Sequence, residues 1–268
     1  MVNLVPSETV RSGILMTRNT SRFVLVPILW AVLLFASSEA DAILNGELDT
    51  TNQAVGVWLH GSKCSGVMIA TVGSTGWVLT AANCVGGSLG VFYEGNDHNN
   101  PDRTYAVFEA IVHPDYATDP TKNFALLRVS GVDSSTPTLL PVAPFEDQVT
   151  TGITVTLSGF GLTEFGSTSW RHSGLVVLTT VSPTEIQSGA SVYAGSGDSG
   201  GAAIVSIQGI PRLAGIISHS DSATFTACAR VSAVYVDFLV ENIGLPPPPF
   251  FADSFESGDT GSWSKVVP

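Results

Sequence analysis

Short apolar stretches alternate with clusters of Gly, Ser, Thr, Asn and Asp from Ile43 to about Val205. Apolar runs of this length, bounded by residues that favour turns, are typical of strands in an antiparallel sheet. The clearest are AVGVWLH, GVMIATV, GWVLTAA, YAVFEAIV, FALLRV, ITVTLSGFG, GLVVLTTV and GAAIVSI. The sequence therefore predicts an all-β fold for this part of the chain.

One helix is predicted close to the end of the β-rich region. From Val234 to Ile243 (VYVDFLVENI) apolar residues recur at three and four positions, which is the spacing of a helix with one face on a core. After Leu245 come four prolines, which form a stiff extended spacer, and then a polar tail. We expect residues 245–268 to be a separate spacer and C-terminal tail.

Residues 1–42 are predicted to be a signal peptide. Arg18 and Arg22 precede a 14-residue apolar run at residues 23–36, and the residues SSEADA follow it. A charged segment, an apolar segment and a cleavage site of small residues, in this order, are typical of secretory signals. The alternative is a transmembrane anchor, but the run is shorter than the roughly 20 residues that a spanning helix needs, and Pro27 interrupts it.

The sequence leaves two possible starts and two possible cleavage sites for the signal peptide. The residues before Met16 add no apolar or basic pattern, so Met16 is a second possible start. Cleavage is possible after Ala40 or after Ala42, and the second cut would leave Ile43 at the amino terminus. We expect a secreted protein with no membrane span after cleavage. A periplasmic location and surface attachment through the tail are alternatives.

Length and charge restrict the class of partner. A chain of 268 residues can bury a core without metals or multiple disulfides. Its 11 Lys and Arg against 23 Asp and Glu give a formal net charge of -12, with no cationic cluster. Nucleic acids and anionic lipids require cationic patches, so we expect neither as a partner. We expect neutral or cationic partners, and no metal and no cofactor.

Three segments form an ordered set: GWVLTAANC at residues 76–84, NFALLRV at 123–129 and GSGDSGGA at 195–202. They resemble the signature blocks of the trypsin-like serine proteases, the chymotrypsin-fold S1 family. Shorter resemblances fall in the right order around them, in ILNGE, IVHPDY, SGFG and GIISHS. The resemblance covers residues 43–244 and implies two six-stranded antiparallel β-barrels followed by a C-terminal helix.

The resemblance places the nucleophile at Ser199 but supplies no base for it. In this family a histidine takes the serine proton, and an aspartate orients the histidine. Asn83 stands at the histidine position and Asn123 at the aspartate position. A carboxamide has no basic lone pair near neutral pH, so Asn83 cannot take the serine proton. A neutral Asn123 could not stabilise a protonated histidine. We predict a catalytically impaired homologue that binds a peptide or protein, or acts as a decoy.

Two enzymatic alternatives stay open. One is a slow serine hydrolase, in which activated substrates acylate Ser199 without a strong base. The other is a serine endopeptidase with a non-standard base, for which His219 is the candidate because it follows Ser218 in the strand that resembles the substrate-binding strand. The remaining histidines are expected to be solvated or held by structural partners. They are His60, His98, His113 and His172.

The resemblance implies roles for the residues around the nucleophile. The backbone N–H groups of Gly197 and Ser199 are expected to form an oxyanion hole. Asp198 is expected to pair with the Ile43 ammonium once the chain is cut before Ile43.

The resemblance also implies a substrate pocket and one disulfide. Four residues are expected in the pocket: Tyr193, Ser218, His219 and Ser220. Tyr193 would be its floor, which is inconsistent with a preference for basic side chains. Cys64 and Cys84 are expected to form a disulfide in an oxidising compartment. Cys228 is left over, because Gly195 stands where the family has the second cysteine of the pocket.

Overall fold

The computed structural model describes residues 43–163, 166–189 and 191–245. The predicted signal peptide and almost all of the predicted tail lie outside the described residues. Within them the chain forms fifteen strands, the first of which, β1 (Glu47–Leu48), joins the sheet of the second barrel.

The N-terminal barrel consists of six antiparallel strands that close on themselves. The strands are β2 (Val55–Leu59), β3 (Lys63–Val72), β4 (Thr75–Thr80), β5 (Val91–Glu94), β6 (Arg103–Val112) and β7 (Ala125–Ser130). Their order around the barrel is β2-β3-β4-β7-β6-β5. Large side chains such as Trp58, Met68 and Phe92 are fully buried, because alternate residues of each strand point inward.

The C-terminal barrel has the same strand number. Its strands are β8 (Thr154–Gly159), β11 (His172–Val181), β12 (Glu185–Gly189), β13 (Ala202–Ile207), β14 (Ile210–Ser220) and β15 (Phe225–Arg230). Between β8 and β11, β9 (Leu162–Thr163) and β10 (Gly166–Ser167) form a separate two-stranded hairpin. The six long strands follow the order β11-β12-β15-β14-β13-β8, and the pairing of β8 with β11 closes the barrel. The expected architecture of two six-stranded antiparallel barrels is confirmed.

Helical structure is short. Single 3₁₀ turns cover Ala82–Cys84, Pro114–Ala117, Pro120–Lys122 and Pro144–Glu146. The predicted C-terminal helix is confirmed as a 3₁₀ turn (Val231–Val234), a π-helical stretch (Tyr235–Val240) and α1 (Glu241–Ile243). Gly244 ends it in the left-handed conformation, at φ +75°. In the described part of the chain no helix is long and apolar enough to cross a membrane.

Not every strand has a strong apolar pattern. β12 has the sequence EIQSG, in which Ile186 is the only aliphatic residue, and it pairs with β11 and β15 on either side. Cys228 of β15 lies opposite Ile186, in the core of the C-terminal barrel, as a free thiol. Burial raises the pKa of this thiol, so it remains protonated.

A buried arginine joins the two barrels. Arg171, just before β11, is completely buried, and its Nη1 donates to the carbonyl oxygens of Val55 and Gly95 at 2.9 Å each. Its Nε lies 3.4 Å from Oδ2 of Asp49, which also accepts from the Ser158 hydroxyl of β8 at 2.7 Å. Asp49 is therefore the ion-pair partner of the guanidinium, and the hydrogen bonds of this pair connect the two barrels.

Substitution of Asp49 tests that dependence. In the Asp49→Ala variant the buried Arg171 charge loses its ion-pair partner, so we expect the free energy of unfolding to fall by about 3–5 kcal/mol. Urea unfolding followed by fluorescence measures it. The matched control is Glu109→Ala, which breaks the half-exposed Arg128–Glu109 pair and should cost less than about 1 kcal/mol. Equal losses in the two variants would contradict the role of Asp49.

Candidate active site

The register of two neighbouring strands brings Asn83 and Asn123 together. β4 and β7 are antiparallel, and Thr80 at the end of β4 lies opposite Ala125 at the start of β7. Residues that follow β4 and residues that precede β7 must therefore be neighbours. Asn83 lies in the Ala82–Cys84 turn after β4, and the disulfide predicted between Cys84 and Cys64 ties that turn to β3.

Asn83 and Asn123 form a hydrogen-bonded amide pair. Nδ2 of Asn123 donates to Oδ1 of Asn83 at 2.9 Å and to the Ser218 hydroxyl oxygen of β14 at 2.8 Å. The backbone N–H of Asn83 donates to Oδ1 of Asn123 at 3.0 Å. Asn123 is buried, whereas the Asn83 side chain is exposed. The pair uses both hydrogens of the Asn123 amide, and neither member can accept a proton near neutral pH.

Ser199 lies in the turn before β13, against the N-terminal barrel. Its carbonyl oxygen accepts from the Ser65 N–H of β3 at 2.9 Å, and the next residue, Gly200, donates to the Ile217 carbonyl at 2.8 Å. Gly200 has φ +87°, and a Cβ there would lie 2.1 Å from the carbonyl oxygen of Ser65 and from Oγ1 of Thr80. Only glycine fits. In the described part of the chain Ser199 Oγ has no hydrogen-bond partner.

The backbone around Gly197 leaves two donors open. Gly197 has φ +96°, and its carbonyl oxygen accepts from the Ser65 hydroxyl at 3.0 Å. The same hydroxyl accepts from the Phe160 N–H at 2.9 Å, so Ser65 joins three segments. The N–H groups of Gly197 and Ser199 donate to no acceptor among the described residues. Ser65 carries no motif, and the sequence offered no signal for this positioning role.

The Asp198 carboxylate is completely buried and holds this loop by hydrogen bonds. It accepts from the backbone N–H of Gly161 at 2.7 Å, of Gly195 at 2.8 Å and of Ile43 at 3.3 Å. Burial raises the pKa of Asp198 to about 6, and the three N–H donors limit that rise. A Cβ on Gly161 would lie 2.4 Å from the carboxylate, so this position also requires glycine.

The start of the described chain reaches this loop. Ile43 is fully buried with φ +60°, a conformation that is strained for a β-branched residue. The next residue, Leu44, accepts through its carbonyl oxygen from the Tyr193 N–H at 3.1 Å. Tyr193 is not among the residues that line the pocket beside Ser199.

A pocket of about 300 Å³ opens beside Ser199. Small and hydroxylated residues line it: Ala194, Gly195, Ser196, Ser199, Ile217, Ser218, His219, Ser220 and Ser222. The sequence-predicted residues Ser218, His219 and Ser220 are therefore brought together with the nucleophile position. His219 is exposed, its Nδ1 lies 3.5 Å from Ser218 Oγ, and its ring stands edge-on to Phe225.

The other four histidines differ in burial and in contacts. His60 stacks on Trp58, and its two ring nitrogens contact the Gly86 carbonyl oxygen and the Ser62 hydroxyl. His113 and His172 are buried, which excludes solvation, and His98 is half-buried. Burial lowers the pKa of all three, to about 4 for His172. Among the described residues, no three His, Cys, Asp or Glu side chains form a group that could hold a metal.

Comparison with known proteins gives one result. The family model described as Trypsin matches residues 43–239, a segment that spans both barrels and enters the C-terminal helix. No curated protein matches the chain.

The two asparagines should differ in their effect on stability. Asn123→Ala removes all three hydrogen bonds of the amide pair at a buried position, so we expect a loss of about 1–3 kcal/mol. Asn83→Ala removes one bond from an exposed side chain, and we expect a loss below about 1 kcal/mol. Thermal and urea unfolding of both variants measure the difference. An equal or larger loss for Asn83→Ala would show that Asn123 does not organise the site.

Proposed function

Because the chain belongs to the trypsin family, we propose that it is a secreted homologue of these serine peptidases whose cleft binds a peptide or protein and whose catalysis is impaired. One observation carries the proposal: Asn123 donates to both Asn83 and Ser218, and these two uncharged amides stand at the positions that the resemblance assigns to the catalytic base and its partner.

The chemistry of the amide pair supports impaired catalysis. A serine hydroxyl is a weak nucleophile unless a neighbouring base takes its proton, and Asn83 has no basic nitrogen. In trypsin, replacement of the aspartate lowers kcat about 10⁴-fold, and in subtilisin, loss of the base lowers it about 10⁶-fold. With both groups absent we expect ordinary peptide-bond turnover to be lost.

An open strand edge supports peptide binding. β14 pairs with β13 as far as Ile216, whereas residues 218–220 pair only with β15 on their other side. This edge faces the pocket. An extended peptide can add to such an edge by backbone hydrogen bonds while one of its side chains enters the pocket.

The first experiment compares the natural chain with a restored one. We expect no hydrolysis of fluorescent casein by the purified natural protein, and clear hydrolysis by the Asn83→His/Asn123→Asp variant, because a base and its partner then flank Ser199. Addition of Ser199→Ala to the restored variant should abolish cleavage. If the natural protein cleaves casein and Ser199→Ala abolishes it, the proposal is wrong, and His219 becomes the candidate base.

A slow serine hydrolase is the second candidate, and a different observation favours it. The N–H groups of Gly197 and Ser199 have no acceptor among the described residues, so they remain available to an oxyanion. A reactive phosphonate that labels Ser199 in the natural protein, but not its Ser199→Ala variant, would favour the hydrolase over pure binding.

We propose further that the signal peptide is removed after Ala42. The Cys64–Cys84 disulfide fits an oxidising compartment outside the cytoplasm. The nitrogen of Ile43 already lies 3.3 Å from Asp198, and a free ammonium there would meet the buried carboxylate directly. The cut also removes the φ constraint on Ile43, since no residue would precede it.

Removal of the residues before Ile43 should stabilise the folded protein, and the gain should depend on pH. In the uncut chain the pKa of Asp198 is raised from 3.8 to about 6. The unfolded chain therefore ionises first, and the folded state loses stability as the pH rises through this interval. Near neutral pH this shift lowers the free energy of unfolding by roughly 3 kcal/mol. We expect protein that starts at Ile43 to melt at a higher temperature near pH 7 than protein that keeps Asp41 and Ala42, with little difference at about pH 4.

The Asp198→Asn substitution in both forms is the control, because it removes the titrating group and should remove the difference at neutral pH. N-terminal sequencing of the secreted protein locates the cut. A sequence that begins at Asp41 would contradict removal after Ala42.

A further inference from the structure

The loop that carries Ser199 offers hydrogen-bond donors to a ligand. Every backbone carbonyl oxygen of residues 195–199 already accepts a hydrogen bond. The donors are the N–H groups of Ser65, Leu162, Asp198 and Gly201 and the hydroxyl of Ser65. The N–H groups of Gly197 and Ser199, in contrast, have no acceptor among the described residues. A ligand group that only accepts hydrogen bonds therefore complements this loop.

The amide pair also leaves donors and adds no negative charge. Oδ1 of Asn83 accepts from the Asn123 amide, and Oδ1 of Asn123 accepts from the Asn83 N–H. Nδ2 of Asn83 donates to nothing in the described part of the chain, and this side chain is exposed. None of the residues that line the neighbouring pocket carries a carboxylate. The amide pair and the pocket lining therefore place no negative charge beside Ser199.

A lysine lies against the same loop. A Cβ on Gly197 would lie 3.2 Å from Cε of Lys63, so the lysine stem passes directly beside this glycine. Its Nζ donates to the Thr168 carbonyl oxygen at 2.9 Å, to Ser167 Oγ at 3.1 Å and to the Gly161 carbonyl oxygen at 3.5 Å. All three acceptors are neutral, and no carboxylate of the described residues lies within ion-pair distance of the ammonium.

The electrostatic balance at Gly197 favours a small anion. Burial lowers the pKa of Lys63, because an ammonium without a counter-ion is disfavoured away from water, and an anion beside it would relieve this cost. The carboxylate of Asp198 opposes an anion, but it is completely buried and already accepts from three other N–H groups. Lys63 offsets its charge, as would the Ile43 ammonium after the proposed cut.

We propose that the N–H groups of Gly197 and Ser199, with the Lys63 ammonium beside them, bind the free C-terminal carboxylate of a peptide. The inference rests on the proposed peptide-binding function of the cleft, and it adds that the bound peptide ends at Ser199 instead of passing through. The acidic net charge of the chain disfavours large anionic partners, whereas a peptide terminus carries a single charge, which these local donors can bind.

The test is an NMR titration of the isotope-labelled secreted protein at about pH 7. The probes are N-acetyl-dialanine with a free carboxylate and the same dipeptide as its C-terminal amide. We expect the free acid to shift the N–H resonances of Gly197 and Ser199 downfield. It should bind about tenfold more tightly than the amide, because a charged acceptor strengthens both hydrogen bonds.

Substitutions test the charges with little change in shape. Lys63→Met removes the ammonium and keeps the stem, and Asn123→Asp adds a carboxylate to the amide pair. Each should weaken binding of the free acid about five- to tenfold and change binding of the amide less than about twofold. Lys63→Arg, which keeps the charge, should retain the preference. The control is Arg212→Met, which removes a positive charge that faces Glu146 and should change neither affinity.

The outcomes separate this site from the proposed function. Equal binding of acid and amide, shifts that spare Gly197 and Ser199, or no binding of the acid would overturn the carboxylate site. With equal binding, shifts at residues 218–220 would leave peptide binding standing. An acid preference that survives Lys63→Met would overturn the role of Lys63. If acetate binds as tightly as the dipeptide acid, the cleft does not hold a peptide backbone, and the peptide-binding function fails.

Discussion

The geometry of the cleft depends on one carboxylate that is completely removed from water. Asp198 keeps its place because three backbone N–H groups, from Ile43, Gly161 and Gly195, point at it from three separate segments. An unpaired buried carboxylate is unfavourable, so these segments must converge on it whenever the domain folds. Their convergence fixes the turn that carries Gly197 and Ser199 and one wall of the pocket.

The backbone geometry of the site does not depend on the side chains that would catalyse a reaction. Asn83 and Asn123 occupy their positions through the register of β4 and β7 and through the Cys64–Cys84 disulfide. The amide of Asn123 donates to Ser218 on the other barrel, so a hydrogen bond joins the two barrels at the cleft. What the amide pair lacks is basicity. A scaffold of this kind can lose catalysis and still hold an extended peptide.

Hydroxyl groups join several backbone segments of the site. Thr226 and Ser222 link the pocket walls, and Ser65 links β3 to the loops of Gly197 and Phe160. The hydroxyl groups of Thr226 and Ser65 both accept and donate, which lets one small side chain join two segments that approach closely. The residues that line the pocket beside Ser199 include no carboxylate, and five of them carry a hydroxyl group.

The apolar runs of the sequence predicted an all-β fold and the C-terminal helix, because both patterns are local. The resemblance carried by the ordered motifs implied the two six-stranded barrels and the Cys64–Cys84 disulfide, which the structure confirms. The tertiary structure alone decided that Asn123 bridges Asn83 and Ser218, that Arg171 and Asp49 join the barrels, and that Thr226 binds the backbone of Ala194. Such contacts join residues far apart in the chain, and a Ser, Thr or Asn has the same local signature whether it faces water or a distant backbone.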